Sequence, residues 1–226
     1  MKFIIIGLGY FGSKLAVLLT KQGHEVIGID HRYERIEELK DEVSIVMEMD
    51  TTNEAAVKSL PLEEADAVVV AIGEDVGSSL LTLAILKNLN VSRIIGRAIS
   101  PIHQNILTQM GIKEIVLPEE ETAFSVSSIL QLKNALRITE LDSENVIAEL
   151  YVPERYRGHS LEVIDLEKRF DLKLVAIKTL SRSQRIISLH PQAYTIDFHF
   201  DPQRPLLEGD ILIIAGRMGD IKRIMI

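Results

Sequence analysis

Three glycines, Gly7, Gly9 and Gly12, and a carboxylate further on, Asp30, are the residues whose types and spacing could do chemistry together. The run Gly7-Leu8-Gly9-Tyr10-Phe11-Gly12 follows an apolar stretch, Phe3 to Ile6, and opens an amphipathic one. A strand, a tight glycine turn and a helix in that order make a seat for phosphate. The first glycine permits the turn, the second lets the backbone approach a pyrophosphate, and the third lets helix and strand pack closely. The helix start adds free N–H groups and the positive end of its dipole. Asp30 ends a second apolar run, Glu25 to Ile29. It lies where a dinucleotide-binding unit carries the acid that accepts hydrogen bonds from ribose hydroxyls. The alternative is a structural turn with a surface aspartate.

The elements that must position these groups alternate along the chain. Strands are expected at Phe3–Ile6, Glu25–Ile29, Ser44–Met47, Asp66–Ala71, Arg93–Arg97 and Glu114–Leu117. Helical patterns fall between them, near Phe11–Gln22, Tyr33–Asp41, Glu54–Ser59, Ser78–Leu89 and Ile102–Met110. Strands that are apolar throughout, such as Ala67 to Ile72, suit a parallel sheet covered on both faces. The fold class is therefore α/β, a Rossmann-like doubly wound parallel sheet over residues 1–118.

Pro118 and Glu119-Glu120-Glu121 read as the start of a helix running to about Leu136, a crossover or linker over 119–139. Its apolar residues (Val126, Ile129, Leu130, Leu132, Leu136) cover more than a one-sided stripe. Such a helix packs either against its own domain and a partner chain, or between two domains. Residues 140–226 read as a small α+β domain. Strands are expected there at Asn145–Val152, Lys173–Leu180, Arg185–Leu189 and Ile211–Ala215. A short helix is expected over Leu161–Arg169, with a hairpin turn at Ser181-Arg182-Ser183-Gln184 and a terminal segment Asp220–Met225. The stretch His190–Pro205 reads as an extra hairpin without an assigned role.

Bulk properties narrow the class. The chain has 226 residues, 46% of them hydrophobic, no cysteine and a net charge of −8. No run approaches the ~20 apolar residues of a membrane span, and the N-terminus has no signal-peptide pattern. Disulfides and thiolate chemistry are excluded, and the acidic balance argues against nucleic acid as a partner. A cytoplasmic protein is expected.

Laid out in full, the chain resembles the RCK family, the regulators of potassium conductance that serve Trk- and Ktr-type potassium uptake systems. The N-terminal likeness rests on Ile6 to Gly12, Val26-Ile27-Gly28-Ile29-Asp30, Asp50-Thr51-Thr52, Val70-Ala71-Ile72-Gly73 and Ile95-Gly96-Arg97-Ala98. The C-terminal likeness rests on Gly158-His159-Ser160-Leu161, Asp165 to Phe170, and Leu206 to Gly216. The resemblance implies a nucleotide-binding RCK-N domain and a smaller RCK-C domain. It also implies a homodimer assembling into a ring, peripherally bound to an integral-membrane potassium transporter subunit that nucleotide exchange opens or closes. An NAD-dependent dehydrogenase is the rival reading, because the same glycine fingerprint serves both. It is disfavoured, since no acid/base constellation accompanies the turn. A regulator of a potassium/proton antiporter stays within the resemblance.

Each further residue has two readings. Gly7, Gly9, Tyr10, Phe11 and Gly12 form the phosphate turn. Asp50 and Thr51 resemble the family's adenine and ribose contacts, or are a polar strand end. Ala71, Ile72 and Gly73 pass the cofactor, or pack the sheet. Arg97, at the ligand edge, faces phosphate or pairs with Glu119–Glu121. Tyr10 stands where several ATP-responsive relatives carry arginine, whose bidentate phosphate grip tyrosine lacks. ADP, AMP or NAD(H) therefore gain on ATP. Asp30 repels a 2′-phosphate unless Arg32 offsets it, so NADP ranks lower. Glu119 matches a glutamate that binds a divalent cation in some relatives, Ca²⁺ or Mg²⁺, or is simply favoured in a first helical turn. Glu167 stands where relatives that bind cyclic di-AMP carry arginine, which disfavours that ligand unless Arg169 substitutes. The histidines form no metal set.

Overall fold

The computed structural model describes residues 1–132, 134–180 and 194–225. They fall into two compact units, Met1–Glu120 and Glu121–Ile226.

In the first unit the strands are β1 (Lys2–Ile6), β2 (Glu25–Asp30), β3 (Ile45–Glu48), β4 (Ala67–Val70), β5 (Ile94–Arg97) and β6 (Glu114–Val116). They form one sheet in the order β3-β2-β1-β4-β5-β6, parallel at every pairing. The intervening helices are α1 (Tyr10–Lys21), α2 (Tyr33–Leu39), α3 (Glu54–Val57), α4 (Val76–Asn88) and α5 (Pro101–Gln109). The expected doubly wound sheet is thus present, with element ends shifted by a few residues at most.

The continuous apolar runs arise because both sheet faces are covered. Ile4, Ile6, Val68 and Val70 pack one side with Leu83, Leu86 and Leu107, while Ile5, Val69 and Ala71 pack the other with Ala16 and Leu39. Side chains alternate across a strand, so a run buried on both faces loses its alternation. Three helices of this unit open on side-chain caps. Asn53 accepts from Ala55 and Ala56 N–H, Asp75 from Ser78 N–H, and Ser100 from His103 N–H. α1 differs: it opens at Gly9 with no side-chain cap. The order reverses direction between β1 and β4, and the carboxyl end of β1 at that switch is where an open α/β sheet takes its ligand.

The second unit holds β7 (Ala135–Glu140), β8 (Asn145–Tyr151), β9 (Lys173–Leu180), β10 (Tyr194–Asp197) and β11 (Ile211–Arg217). They make an antiparallel sheet in the order β10-β9-β11-β8-β7, with α7 (Leu161–Ile164), α8 (Leu166–Phe170) and α9 (Met218–Met225) in the same unit. Ile221 and Ile224 of α9 are buried in its core with Leu150, Leu172 and Ile214.

Two expectations are corrected. The helix starting at Pro118, α6, ends at Gln131, and Ala135–Glu140 is the edge strand β7. Ala135 and Leu136 are good helix formers, but pairing with β8 overrides propensity: Ile138 lies opposite Ala148 and both are buried. The helix expected over Leu161–Arg169 is broken at Asp165, which adopts a left-handed conformation (φ 49°, ψ 63°). Its carboxylate then caps α8 by accepting from Lys168 N–H. The expected turn at 181–184, the strand Arg185–Leu189 and His190 lie outside the described residues, while part of the 190–205 stretch is β10.

Candidate functional site

The geometry at the end of β1 leaves little freedom in residue type. Gly7 has φ +90°, and a β-carbon there would lie 2.9 Å from Ile72 Cγ1. A β-carbon on Gly12 would lie 1.9 Å from the carbonyl oxygen of Gly7, so only glycine lets α1 sit this close to the turn. Gly9 is different in kind. A β-carbon there would meet nothing within 4 Å. Its glycine is not demanded by packing, and it leaves open approach to the backbone at the start of α1. The first-turn N–H groups of a helix have no intrahelical partner, and no side chain caps these. The seat can accept an anion.

Asp30 is 4% exposed. Its Oδ2 accepts a 2.8 Å hydrogen bond from Leu8 N–H, and its Oδ1 accepts from Arg32 N–H at 3.0 Å and Arg32 Nε at 3.1 Å. Burial alone pushes the carboxyl up. The Arg32 side chain, the N–H groups of Arg32 and Leu8 and the Arg32 charge outweigh burial and hold it below the usual carboxylate range. Asp30 is therefore an ionised acceptor fixed to the glycine turn itself. Arg32 continues past it to Glu74 Oε2 at 3.0 Å, in the segment following β4.

Arg97, at the end of β5, gathers the other flank. Its Nη1 donates to Ala71 O at 3.3 Å, its guanidinium lies 5.6 Å from the Phe11 ring centroid, and its Nη2 pairs with Glu119. The fit over Gly73 is close, because a β-carbon there would be 2.7 Å from Arg97 Nη1. Arg97 Nε is buried with no hydrogen-bond partner. Gly7, Phe11, Ala71, Ile72, Gly73 and Arg97 thus meet in one place.

The remaining candidate residues make contacts of their own. Thr51 is buried and its hydroxyl shares a 2.9 Å hydrogen bond with Thr82 of α4, so that side chain joins two elements and faces inward. Asp50 is exposed. The hydroxyl and N–H of Thr52 bond to it at 2.7 and 2.9 Å and lower its pKa. Tyr10 is 85% exposed, with Lys14 Nζ 6.0 Å from its ring centroid. Glu119 is engaged by Arg97, and among the described residues no group of three His, Asp or Glu side chains is placed to hold a metal ion. In the second unit a cleft of about 360 Å³ is lined by Asp165, Glu167, Lys168 and Phe200. Arg169 does not line it and instead stacks on Phe170 at 5.5 Å.

Sequence reasoning missed Leu8 N–H, because a backbone donor has no residue signature. It also missed Glu74, for which the acid pair Glu74-Asp75 just after the fourth strand was the available signal.

A six-stranded parallel sheet with a glycine turn at its switch point defines a Rossmann-like domain. Residues 3–118 match the family model of the TrkA-N domain. Over 222 residues the chain is 32% identical to Ktr system potassium uptake protein C of Bacillus subtilis, covering 98% of this chain and 95% of that protein. The chain belongs to the TrkA-N family and is a homologue of the Ktr potassium uptake proteins. The crystal structure of the GsuK RCK domain shares the fold across both units, with a TM-score of 0.67 at 16% identity. The match covers 99% of this chain and 47% of that one, so this chain spans about half its length. The NAD(P)-binding domain of an exopolyphosphatase-related protein from Archaeoglobus fulgidus matches 57% of this chain and 98% of its own, at 30% identity and a TM-score of 0.51. No helix among the described residues is long and apolar enough to cross a membrane.

Proposed function

We propose that this chain is a nucleotide-binding regulatory subunit of a Ktr-type potassium uptake system, and not an enzyme. The observation that carries this reading is full-length likeness to a Ktr protein in a chain whose glycine turn is tied to a buried, ionised Asp30. Pyrophosphate would sit on the N–H groups at Gly9, Tyr10 and Phe11, and ribose hydroxyls would donate to Asp30. Arg97 would face the phosphates across Gly73. Adenine nucleotides are the ligand class, with ADP, AMP and NAD(H) ahead of ATP because Tyr10 brings no positive charge. An NAD(P)-binding relative at 30% identity supports that class.

The partner is an integral-membrane potassium transporter subunit at the cytoplasmic face, and copies of this chain assemble as dimers into a ring. Val126 and Leu130 of α6, 49% and 80% exposed, support a self-association face. The full-length Ktr likeness favours this over an antiporter partner. Binding of Ca²⁺ or Mg²⁺ at Glu119 would require Arg97 to release it.

A thermal-shift panel of ATP, ADP, AMP, NAD, NADH and NADPH tests the reading. Ligand at about 100 times its dissociation constant stabilises by ~2.7 kcal/mol, a rise of a few degrees. No response to any adenine nucleotide overturns it. Sustained, substrate-dependent NADH turnover would instead make the chain a dehydrogenase.

A further inference from the structure

We propose that Glu74 decides which adenine nucleotides the seat accepts, by making it reject a phosphate on the ribose 2′ position. The proposal rests on reading the glycine turn as a nucleotide seat.

The geometry is a bridge over that turn. β1 lies between β2 and β4 in the sheet. Arg32 follows β2 and Glu74 follows β4, so their 3.0 Å contact spans the carboxyl end of β1, where the glycines are. At its other edge the same guanidinium bonds Asp30 Oδ1 through Nε at 3.1 Å. One positive charge is thus shared between two carboxylates beside the expected ribose position.

An arginine beside the ribose acid would, on its own, welcome a 2′-phosphate through charge-assisted hydrogen bonds. Here its charge is already divided. A phosphate monoester carries roughly −1.5 to −2 at neutral pH and would meet two carboxylates with a single cation among them. A 2′-hydroxyl donates to a carboxylate and meets no such repulsion.

The two acids differ in what they can be spared from. Asp30 is 4% exposed and holds the turn through Leu8 N–H, so its charge is built into the fold. The Glu74 side chain is 78% exposed and bonds Arg32 from the outside. Removing its charge leaves the turn intact and frees half of the guanidinium. Glu74 is the specificity-determining residue, and Arg32 is the group it restrains.

Isothermal titration of the full chain with matched ligand pairs, NAD against NADP and AMP against adenosine 2′,5′-bisphosphate, tests this at low ionic strength. Wild type binds the 2′-hydroxyl member of each pair at least ~10-fold more tightly. Glu74→Gln narrows that ratio roughly three- to tenfold, a modest change because the pair is exposed, with an unaltered melting temperature. Arg32→Ala, which removes the cation, does not narrow it. An unchanged ratio in Glu74→Gln, or wild type that binds both members equally, overturns the proposal while leaving the nucleotide seat standing. Binding of neither member of either pair overturns the seat itself and the proposal with it.

Discussion

The carboxylate of Asp30 accepts a 2.8 Å hydrogen bond from the backbone N–H of Leu8, so the acid expected to hold ribose also holds the turn expected to hold phosphate. One ligand function and one structural function share a single side chain. Asp30→Ala should therefore lose stability as well as affinity. The charged hydrogen bond is worth ~1.5–3 kcal/mol, and its loss leaves a buried N–H unpaired. Denaturant unfolding at pH 7 measures the deficit. The folded pKa of Asp30 lies below its ordinary 3.8, so the carboxylate's contribution is complete above that value. It declines as pH falls below, and the difference between wild type and Asp30→Ala should shrink there.

Gly9 and Gly12 should separate when each is changed to alanine. Gly12→Ala drives a β-carbon to 1.9 Å from the Gly7 carbonyl and should cost more than ~3 kcal/mol, read as a drop in midpoint on urea unfolding. Gly9→Ala meets nothing within 4 Å and should cost no more than ~1 kcal/mol. Its nucleotide affinity should nevertheless fall at least ~10-fold, because the new methyl group occupies the path of the pyrophosphate. Unchanged affinity in Gly9→Ala would remove the turn from the binding site.

Arg97 pairs with Glu119 where a phosphate would otherwise compete for it. Glu119→Gln should tighten binding of ADP a few-fold by releasing the guanidinium, and Arg97→Ala should weaken it. Stability should move by less than ~1 kcal/mol in Glu119→Gln, since that carboxylate is 61% exposed. Titration calorimetry with and without Mg²⁺ checks both variants. A loss of binding in Glu119→Gln confined to the Mg²⁺ arm would assign the glutamate to a metal.

His103 is 3% exposed and neither ring nitrogen has a hydrogen-bond partner. Burial lowers its pKa below the ordinary 6.5, so the folded protein holds the neutral ring while the unfolded chain takes up a proton. Stability from this site is complete above pH 6.5 and is lost as pH falls below it. His103→Leu should flatten the slope of unfolding free energy as pH falls below 6.5. An equal slope in wild type and variant would place the titration elsewhere.

The first unit was largely legible because its signals are local. Short apolar runs rich in Val and Ile and bounded by turn residues fit strands covered on both sides, and Gly7 and Gly12 announce a turn whose sterics forbid other residues. Ala135 to Glu140 was not legible. Ala135, Leu136 and Arg137 favour helix, and pairing with the neighbouring strand β8 makes the segment a strand. Asp165 misled for a related reason: nothing in Asp165-Leu166-Glu167 marks the left-handed turn that splits the helix.

The sequence by itself determined the class of fold, the glycine seat and the presence of an acid beside it, since these follow from strand period, turn sterics and spacing. Tertiary structure alone decided which partner each polar group takes. Asp30 meets Leu8 and Arg32, Arg32 reaches Glu74, Arg97 turns to Glu119, and Thr51 faces Thr82. Apart from Asp30 and Arg32, these partners lie 22 to 42 residues apart in the chain. Only the sheet order, which sets β1 between β2 and β4, brings Arg32 and Glu74 within hydrogen-bond reach.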